Sequence, residues 1–367
     1  MSKADLGKAR ERIDQLDQQI QKLIADRARV ALEIREIKAK ASAAGNGNDH
    51  YRPAREAEVL RRAIARNREL KSPVNDEVMA RLMREIMSAC LALESPLAVS
   101  YLGPEGTYTQ AAVYKHFGHQ VSARVANATD EIFRDVESGS ATYGVVPIEN
   151  STEGVVSSTL DLLAHTPLSI CGEVWLPVHH HLLSNHKRAQ DIRKIYAHAQ
   201  SFAQCRKWLD HKLPRAERIA VASNGLAAQM VRKAGRGAAI AGQAAAELYR
   251  LGKLASNIED DPNNTTRFLV IGRQNPEATG RDTTSLVISA HKDRAGALFT
   301  LLEPFSQAGI NLTKIESRPS RRAAWDYNFF IDLEGHQADE RVKPALDLVR
   351  SRAAYFRILG SYPKAVV

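Results

Sequence analysis

Tyr101-Leu102-Gly103-Pro104-Glu105-Gly106-Thr107-Tyr108-Thr109-Gln110 reads as the end of a strand, a glycine-rich turn and the start of a helix. Outward from it, short apolar runs at residues 97–102, 143–148, 218–221, 238–241 and 267–271 alternate with helix-length stretches. That alternation predicts an α/β domain over residues 96–275, in which ligands gather beyond the carboxyl ends of strands. The turns after these strands are therefore where chemistry is expected.

Upstream the rhythm is helical. Residues 8–44 hold no glycine or proline, and Ile13, Leu16, Ile20, Leu23, Ile24, Val30, Ile34 and Ile37 recur at helical spacing. A helix of about ten turns needs a partner to bury that stripe, possible from a second subunit. Gly45-Asn46-Gly47-Asn48 breaks the pattern, a second helix is predicted from Pro53 to about Lys71, and a third starts after Ser72-Pro73. Residues 1–95 thus form an all-α domain. Downstream of a linker at 276–280, residues 281–367 read strand, helix, strand, strand, helix, strand, the ferredoxin-like order.

Composition narrows the classes. With 44% hydrophobic and 25% charged residues the chain reads as folded and soluble. No apolar run is long enough to cross a bilayer, and no secretory signal opens the chain, so a cytoplasmic location is expected. Three scattered cysteines without a C-x-x-C pair point to reduced thiols. The net charge of +9 divides as +4 over residues 1–95, +3 over 96–275 and +2 over 276–367. That even spread argues against a nucleic-acid partner and suits small anionic ligands.

Three cations on the first helix invite a geometric reading. Arg27 and Lys38 are eleven residues apart, about 16 Å along one face, and could hold a small dianion. Arg10 lies about 25 Å and about 100° from Arg27, so a site using all three takes Arg10 from an antiparallel second subunit. Spacing alone equally describes cations on a solvated face. The triplet His179-His180-His181 tempts a metal reading, but on a strand His180 would point away from its neighbours, leaving two imidazoles and no third ligand. No metal and no cofactor is expected.

Tyr51-Arg52-Pro53-Ala54-Arg55-Glu56 and Cys90-Leu91-Ala92-Leu93-Glu94 sharpen the N-terminal segment, which resembles the all-helical class of chorismate mutase, an intertwined dimer. The resemblance implies substrate contacts at Arg10, Arg27, Lys38, Arg52, Arg55, Glu56 and Cys90, with Lys38 and a protonated Glu94 facing the ether oxygen. Arg52 stands where some members have aspartate, and Glu94 where some have glutamine.

The middle segment adds Val146-Pro147-Ile148-Glu149-Asn150-Ser151-Thr152-Glu153-Gly154, His198-Ala199-Gln200-Ser201-Phe202-Ala203-Gln204-Cys205 and Asn263-Asn264-Thr265-Thr266-Arg267-Phe268. Any one could be a capping turn. Together, and in this order with the opening stretch, they resemble prephenate dehydratase. The resemblance makes Thr266 the essential hydroxyl, sets Arg267 at a substrate carboxylate, and lines the cleft between two lobes with Glu149, Asn150, Ser151 and Gln204. Thr107, Thr152 and Phe268 join the implied substrate contacts.

In the last segment, Gly296-Ala297-Leu298, Asn311-Leu312 and Glu316-Ser317-Arg318-Pro319 resemble the phenylalanine-binding signatures of the ACT domain, with Ala295 where a proline is common. The whole order resembles the bifunctional chorismate mutase–prephenate dehydratase family of phenylalanine biosynthesis. It implies chorismate and prephenate as substrates, L-phenylalanine as effector, a homodimer or higher homo-oligomer, and no nucleic-acid or membrane partner. On residue patterns alone, an amino-acid sensor or a basic nucleic-acid-binding protein would be the competing classes.

Overall fold

The computed structural model describes residues 3–42, 51–291, 295–320 and 327–366, so the expected break at residues 45–48 lies outside it. The chain packs as two units. One holds Met1–Arg52, Leu60–Leu97 and Phe117–Ser122; the other holds Pro53–Val59, Ala98–His116 and Ala123–Val367. No described helix is long and apolar enough to cross a membrane.

Three helices, α1 (Lys3–Ser42), α2 (Pro53–Glu69) and α3 (Asp76–Glu94), make up the expected all-α segment. Pro53 occupies the first turn of α2, where its missing N–H is not needed. Asn75 caps α3 by accepting from the Val78 N–H at 2.8 Å. Between α2 and α3 the buried Asn67 donates to the Val74 carbonyl and to Asp76, at 2.9 and 3.0 Å, which fixes the turn. Helix α1 is 40 residues long, about 60 Å, and packs on α3. Its row Ile13, Leu16, Ile20, Leu23 and Ile37 is exposed, while Ala31 is buried.

The second unit contains three sheets. The first joins β1 (Ala98–Leu102), β2 (Ser122–Ala126), β3 (Tyr143–Asn150), β4 (Gly154–Val155) and β5 (Ser169–Pro177), interleaved with α4 (Tyr108–Phe117), α5 (Thr129–Ser138) and α6 (Ser157–Leu163). The chain then builds a second lobe from β6 (His181–Ser184), β7 (Lys194–Ala197), β8 (Glu217–Ala220), β9 (Ala238–Ala241) and β10 (Gly252–Ala255). Its helices are α7 (Ala199–Gln204), α8 (Arg206–Lys212), α9 (Asn224–Ala234) and α10 (Gln243–Leu248). Strand β11 (Thr265–Gly272) returns to the first sheet, whose order is β2-β1-β3-β11-β5 with β4 beside β3. The second sheet runs β10-β6-β9-β7-β8. The predicted histidine strand is corrected here: His179 and His180 lie in the connection after β5, and only His181 starts a strand.

The ferredoxin-like segment folds as read: β12 (Asp282–Ser289), α11 (Ala297–Gln307), β13 (Leu312–Pro319), β14 (Tyr327–Glu334), α12 (Val342–Arg352) and β15 (Tyr355–Pro363), in sheet order β13-β14-β12-β15. Every residue of β12 is buried because both faces of this sheet are covered. Leu286, Ile288, Ile331 and Leu333 pack with Leu301, Phe305, Leu346 and Val349 of the helices. The alternating neighbours Val287 and Phe330 join Ile170, Leu269 and Ile271 in the core of the first lobe.

That second contact is tightest at Gly360 of β15. A Cβ there would sit 2.3 Å from the Ile170 carbonyl oxygen. Gly360→Ala is expected to destabilise the chain by about 1–3 kcal/mol through overpacking. Thermal denaturation beside wild type checks it, and an unchanged melting temperature would show that the strands have room to part.

Candidate functional site

Strands β3 and β11 run antiparallel with Asn150 opposite Thr266 and Glu149 opposite Arg267. Successive side chains on a strand point to opposite faces, so these two cross-strand pairs look in opposite directions. The Asn150–Thr266 pair connects through Thr152 to Gln204 of the second lobe. Asn150 Nδ2 donates to Thr266 Oγ1 and to Asn264 Oδ1, both at 2.8 Å. Its Oδ1 accepts from the backbone N–H groups of Thr152 and Glu153, at 3.0 and 3.2 Å, and from the Thr152 hydroxyl at 2.7 Å. Those fixed backbone donors identify the amide oxygen and leave the nitrogen as the donor to Thr266. Thr266 accepts this bond with a lone pair, so its own proton is not used in it. Ser151 Oγ closes the turn by accepting from the Thr265 N–H at 3.0 Å.

From the opposite lobe, Gln204 at the end of α7 donates to Thr152 Oγ1 at 3.0 Å and reaches Glu153 at 3.4 Å. Its Oε1 meets Nε2 of the buried His180 at 2.8 Å. The other ring nitrogen lies 3.0 Å from the hydroxyl of Tyr108, on α4. Glu259 accepts from the His180 N–H at 2.8 Å and contacts His179 Nδ1 at 2.7 Å. Burial lowers the His180 pKa, against the opposing effects of Gln204 and Glu259. Burial would raise that of Glu259, but the bonds from His179 and the His180 N–H outweigh it and hold it low. The histidine triplet is thus a set of polar supports.

Three expected contacts need correction, and a fourth, Thr107, has a local partner. Arg267 is buried on the other side of β11, where Nε meets Glu173 at 2.9 Å, Nη1 meets Asp332 at 2.5 Å, and Nη2 donates to the Tyr362 hydroxyl at 3.0 Å. The guanidinium also lies over Trp175. Burial disfavours its charge, yet Tyr362, Asp332 and Glu173 together raise its pKa. Its strand neighbour Glu149 pairs with Lys314 of β13 at 2.6 Å. Phe268 is 2% exposed, within the packed interior. Thr107 holds its own turn, donating to the Leu102 carbonyl at 3.2 Å. Strand alternation is the reason for the first two: residues adjacent in a motif cannot all face one cleft.

Asn264 lies within the 263–268 motif, where residue type alone does not mark it. It is 1% exposed, and its Nδ2 has no hydrogen-bond partner among the described residues. A buried unpaired donor beside Thr266 is suited to a ligand oxygen.

On the ferredoxin-like sheet, Gly296 adopts φ +74 and ends the loop into α11, so Ala297 and Leu298 begin that helix. Asn311 accepts from the Glu334 N–H at 3.0 Å and precedes Leu312 of β13. Glu316 and Ser317 follow on that edge strand. Arg318 leaves it to hold both carboxylate oxygens of Asp161, at 3.1 Å each. Arg318 and Asp161 line a cavity of about 240 Å³ with Ala164, His165, Asn328 and Phe330.

In the helical unit, α1 and α3 bring Lys38 Nζ to 3.1 Å from Glu94 Oε2. Arg27 reaches the Ile86 carbonyl at 3.5 Å, and Cys90 is buried on α3. Arg10 is exposed and 28 residues from Lys38, about 42 Å along the same helix. Arg52 precedes α2, and Arg55 and Glu56 sit on its first turns, Arg55 pairing with Glu58 at 2.7 Å.

Comparison with known proteins agrees with this division. Residues 9–95 match chorismate mutase type II, residues 99–276 prephenate dehydratase, and residues 284–347 the ACT domain. A bifunctional chorismate mutase/prephenate dehydratase of Stutzerimonas stutzeri is 52% identical over the whole of both chains. Its counterpart from Pseudomonas aeruginosa is 51% identical over 97% of each. The crystal structure of prephenate dehydratase from Arthrobacter aurescens in complex with L-Phe aligns at 35% identity with a TM-score of 0.68, covering 74% of this chain and 93% of that one.

One consequence concerns acid. Burial, then Lys253, pushes the pKa of His181 down to about 4, against the pull of Glu259. Its Nδ1 accepts from the Asn257 N–H at 3.2 Å, which requires an unprotonated nitrogen. Between about pH 6.5 and about pH 4 the unfolded chain therefore binds more protons than the folded one, and stability falls as pH is lowered through that window. Melting temperatures recorded across it should decline, and His181→Gln should flatten the decline. An equal slope in the variant would assign the acid sensitivity to other groups.

Proposed function

The chain belongs to the bifunctional chorismate mutase/prephenate dehydratase family, and we propose how its residues carry those two activities and their control. It is an enzyme that rearranges chorismate to prephenate and converts prephenate to phenylpyruvate by decarboxylative dehydration.

The mutase step is intramolecular and needs no nucleophile. The protein holds the dianion in a compact conformer and stabilises charge developing on the ether oxygen. Arg27 and the arginine pair Arg10 and Arg55 bind carboxylates, and Lys38 donates to the ether oxygen beside Glu94. The Lys38–Glu94 contact at 3.1 Å supports placing that end of the site between α1 and α3. The exposed apolar row of α1 supports a homodimer in which Arg10 reaches the site of the neighbouring subunit.

In the dehydratase step the carbon–carboxylate bond breaks, its electrons enter the ring, carbon dioxide leaves, and the ring hydroxyl departs as water after taking a proton. The observation that carries our assignment is the 2.8 Å bond from Asn150 Nδ2 to Thr266 Oγ1. It makes the threonine oxygen an acceptor and frees the threonine proton for the departing hydroxyl. Asn264, Ser151, Thr152 and Gln204 complete the polar walls. L-Phenylalanine binds the regulatory sheet through residues 296–298, 311–312 and 316–318 and inhibits dehydration. The bonds from Arg267 to Asp332 and Tyr362, from Lys314 to Glu149 and from Arg318 to Asp161 give that sheet a direct hold on β3, β11 and α6. The enzyme works in the cytoplasm.

Thr266→Ala is expected to cut dehydratase turnover by about 10²–10⁴-fold while leaving mutase turnover intact. Parallel assays on one preparation decide it, and equal loss of both activities would reject the assignment. For the mutase, refolding Arg10→Ala with Arg27→Ala chains is expected to regenerate an intact site in each heterodimer. Heterodimers no more active than their parents would exclude a site shared between subunits.

A further inference from the structure

The polar chain that ends at Thr266 begins at His180, in the connection that leads from β5 into the second lobe. Backbone N–H groups of Thr152 and Glu153 set Asn150 Oδ1 as an acceptor, which assigns the Thr152 hydroxyl proton to that oxygen. Thr152 Oγ1 must then accept from Gln204, so the nitrogen of the Gln204 amide faces Thr152 and its oxygen faces His180. An amide oxygen only accepts, and His180 Nε2 therefore carries a proton. In the neutral ring Nδ1 is then bare, and the Tyr108 hydroxyl lies 3.0 Å from it and donates to the His179 carbonyl at 2.8 Å. The direction of every bond from His180 to Thr266 follows from two backbone amides.

We propose that His180 is a positioning residue for dehydration, holding the Gln204 amide in one orientation so that its nitrogen faces Thr152 and the cleft. This inference rests on the reading of Thr266 and Gln204 as dehydratase residues. A glutamine held at only one end can turn over, exchanging donor for acceptor where Thr152 needs a donor. His180 prevents that because Nε2–H cannot pair with the amide nitrogen. The surroundings suit a fixed donor. His180 is 1% exposed, its backbone N–H is taken by Glu259, and its ring meets Tyr108 edge-on at 5.8 Å between centroids. Substrate chemistry does not reach His180 directly, since Gln204 stands between it and Thr152.

Removing the donor with His180→Leu is expected to lower dehydratase kcat on the order of 10²-fold, the scale of a misplaced catalytic group, with a smaller change in KM. His180→Gln, which can still present an N–H to Gln204, should recover most of the loss. The thermal unfolding transition of each variant reports whether the second unit is folded. The deciding measurement is the pair with Gln204→Leu. If His180 acts through Gln204, the double variant is no slower than Gln204→Leu alone. Losses that multiply, or wild-type kcat in His180→Leu, would overturn the positioning role and leave the cleft assignment standing. Full dehydratase activity in Gln204→Leu would overturn both. Should His180→Leu fail to fold, nitrogen-15 spectra of the wild-type histidines, assigned with His180→Gln, provide an independent decision. They should show the Nε2–H form of His180, and an Nδ1–H form would refute the chain.

Discussion

Everything in the second unit depends on two cross-strand pairs one residue apart, Asn150 with Thr266 and Glu149 with Arg267. The pleat sends the first pair toward Thr152 and Gln204 and the second toward the ferredoxin-like sheet. Two neighbouring residues on each strand therefore meet two different surroundings. No movement of β11 can alter the grip on Arg267 without bearing on Thr266, because their Cα atoms are 3.8 Å apart along one chain.

The side of that arrangement facing the ferredoxin-like sheet is unusually polar for a buried junction. Arg267 is enclosed by Glu173, Asp332, Tyr362 and the face of Trp175, while Ser285 donates to the second oxygen of Asp332 at 2.5 Å. A buried cation with two carboxylates is weak evidence for stability, yet removing one partner leaves an uncompensated charge at a cost of about 3–5 kcal/mol. Such a cluster tolerates few geometries. Around it, Val287, Phe330, Leu359 and Tyr362 share one hydrophobic core with Ile170, Leu269 and Ile271, so the ferredoxin-like sheet is part of the dehydratase interior. The helical unit obeys different physics. Its longest helix leaves a row of large apolar residues exposed, and burying such a row takes a partner helix rather than more of the same chain.

Much of this was legible in the residues themselves. Helical spacing from Ile13 to Ile37, proline at the start of α2, the strand lengths of the middle segment and the ferredoxin-like order are local patterns, and local sterics and hydrogen bonding decide them. The motif carrying Asn150, Ser151 and Thr152 was legible because an Asn followed by two hydroxyl residues ends a strand in a recognisable way. Arg267 and Glu149 were misplaced because a motif quoted as a string hides the alternation of its faces. Thr107 closes its own turn, a bond that its residue type does not reveal in sequence.

The sequence by itself determined the elements, their order, and which turns are dense in polar groups, since these depend on interactions within a few residues. Only the tertiary structure decided which of those groups meet. His180 and Gln204 are 24 residues apart, Asn150 and Thr266 are 116 apart, and Arg267 lies 65 residues from Asp332. Such pairings follow from strand register and from the packing of one lobe on another. Those are set by the whole hydrophobic core, and no local window of sequence contains it.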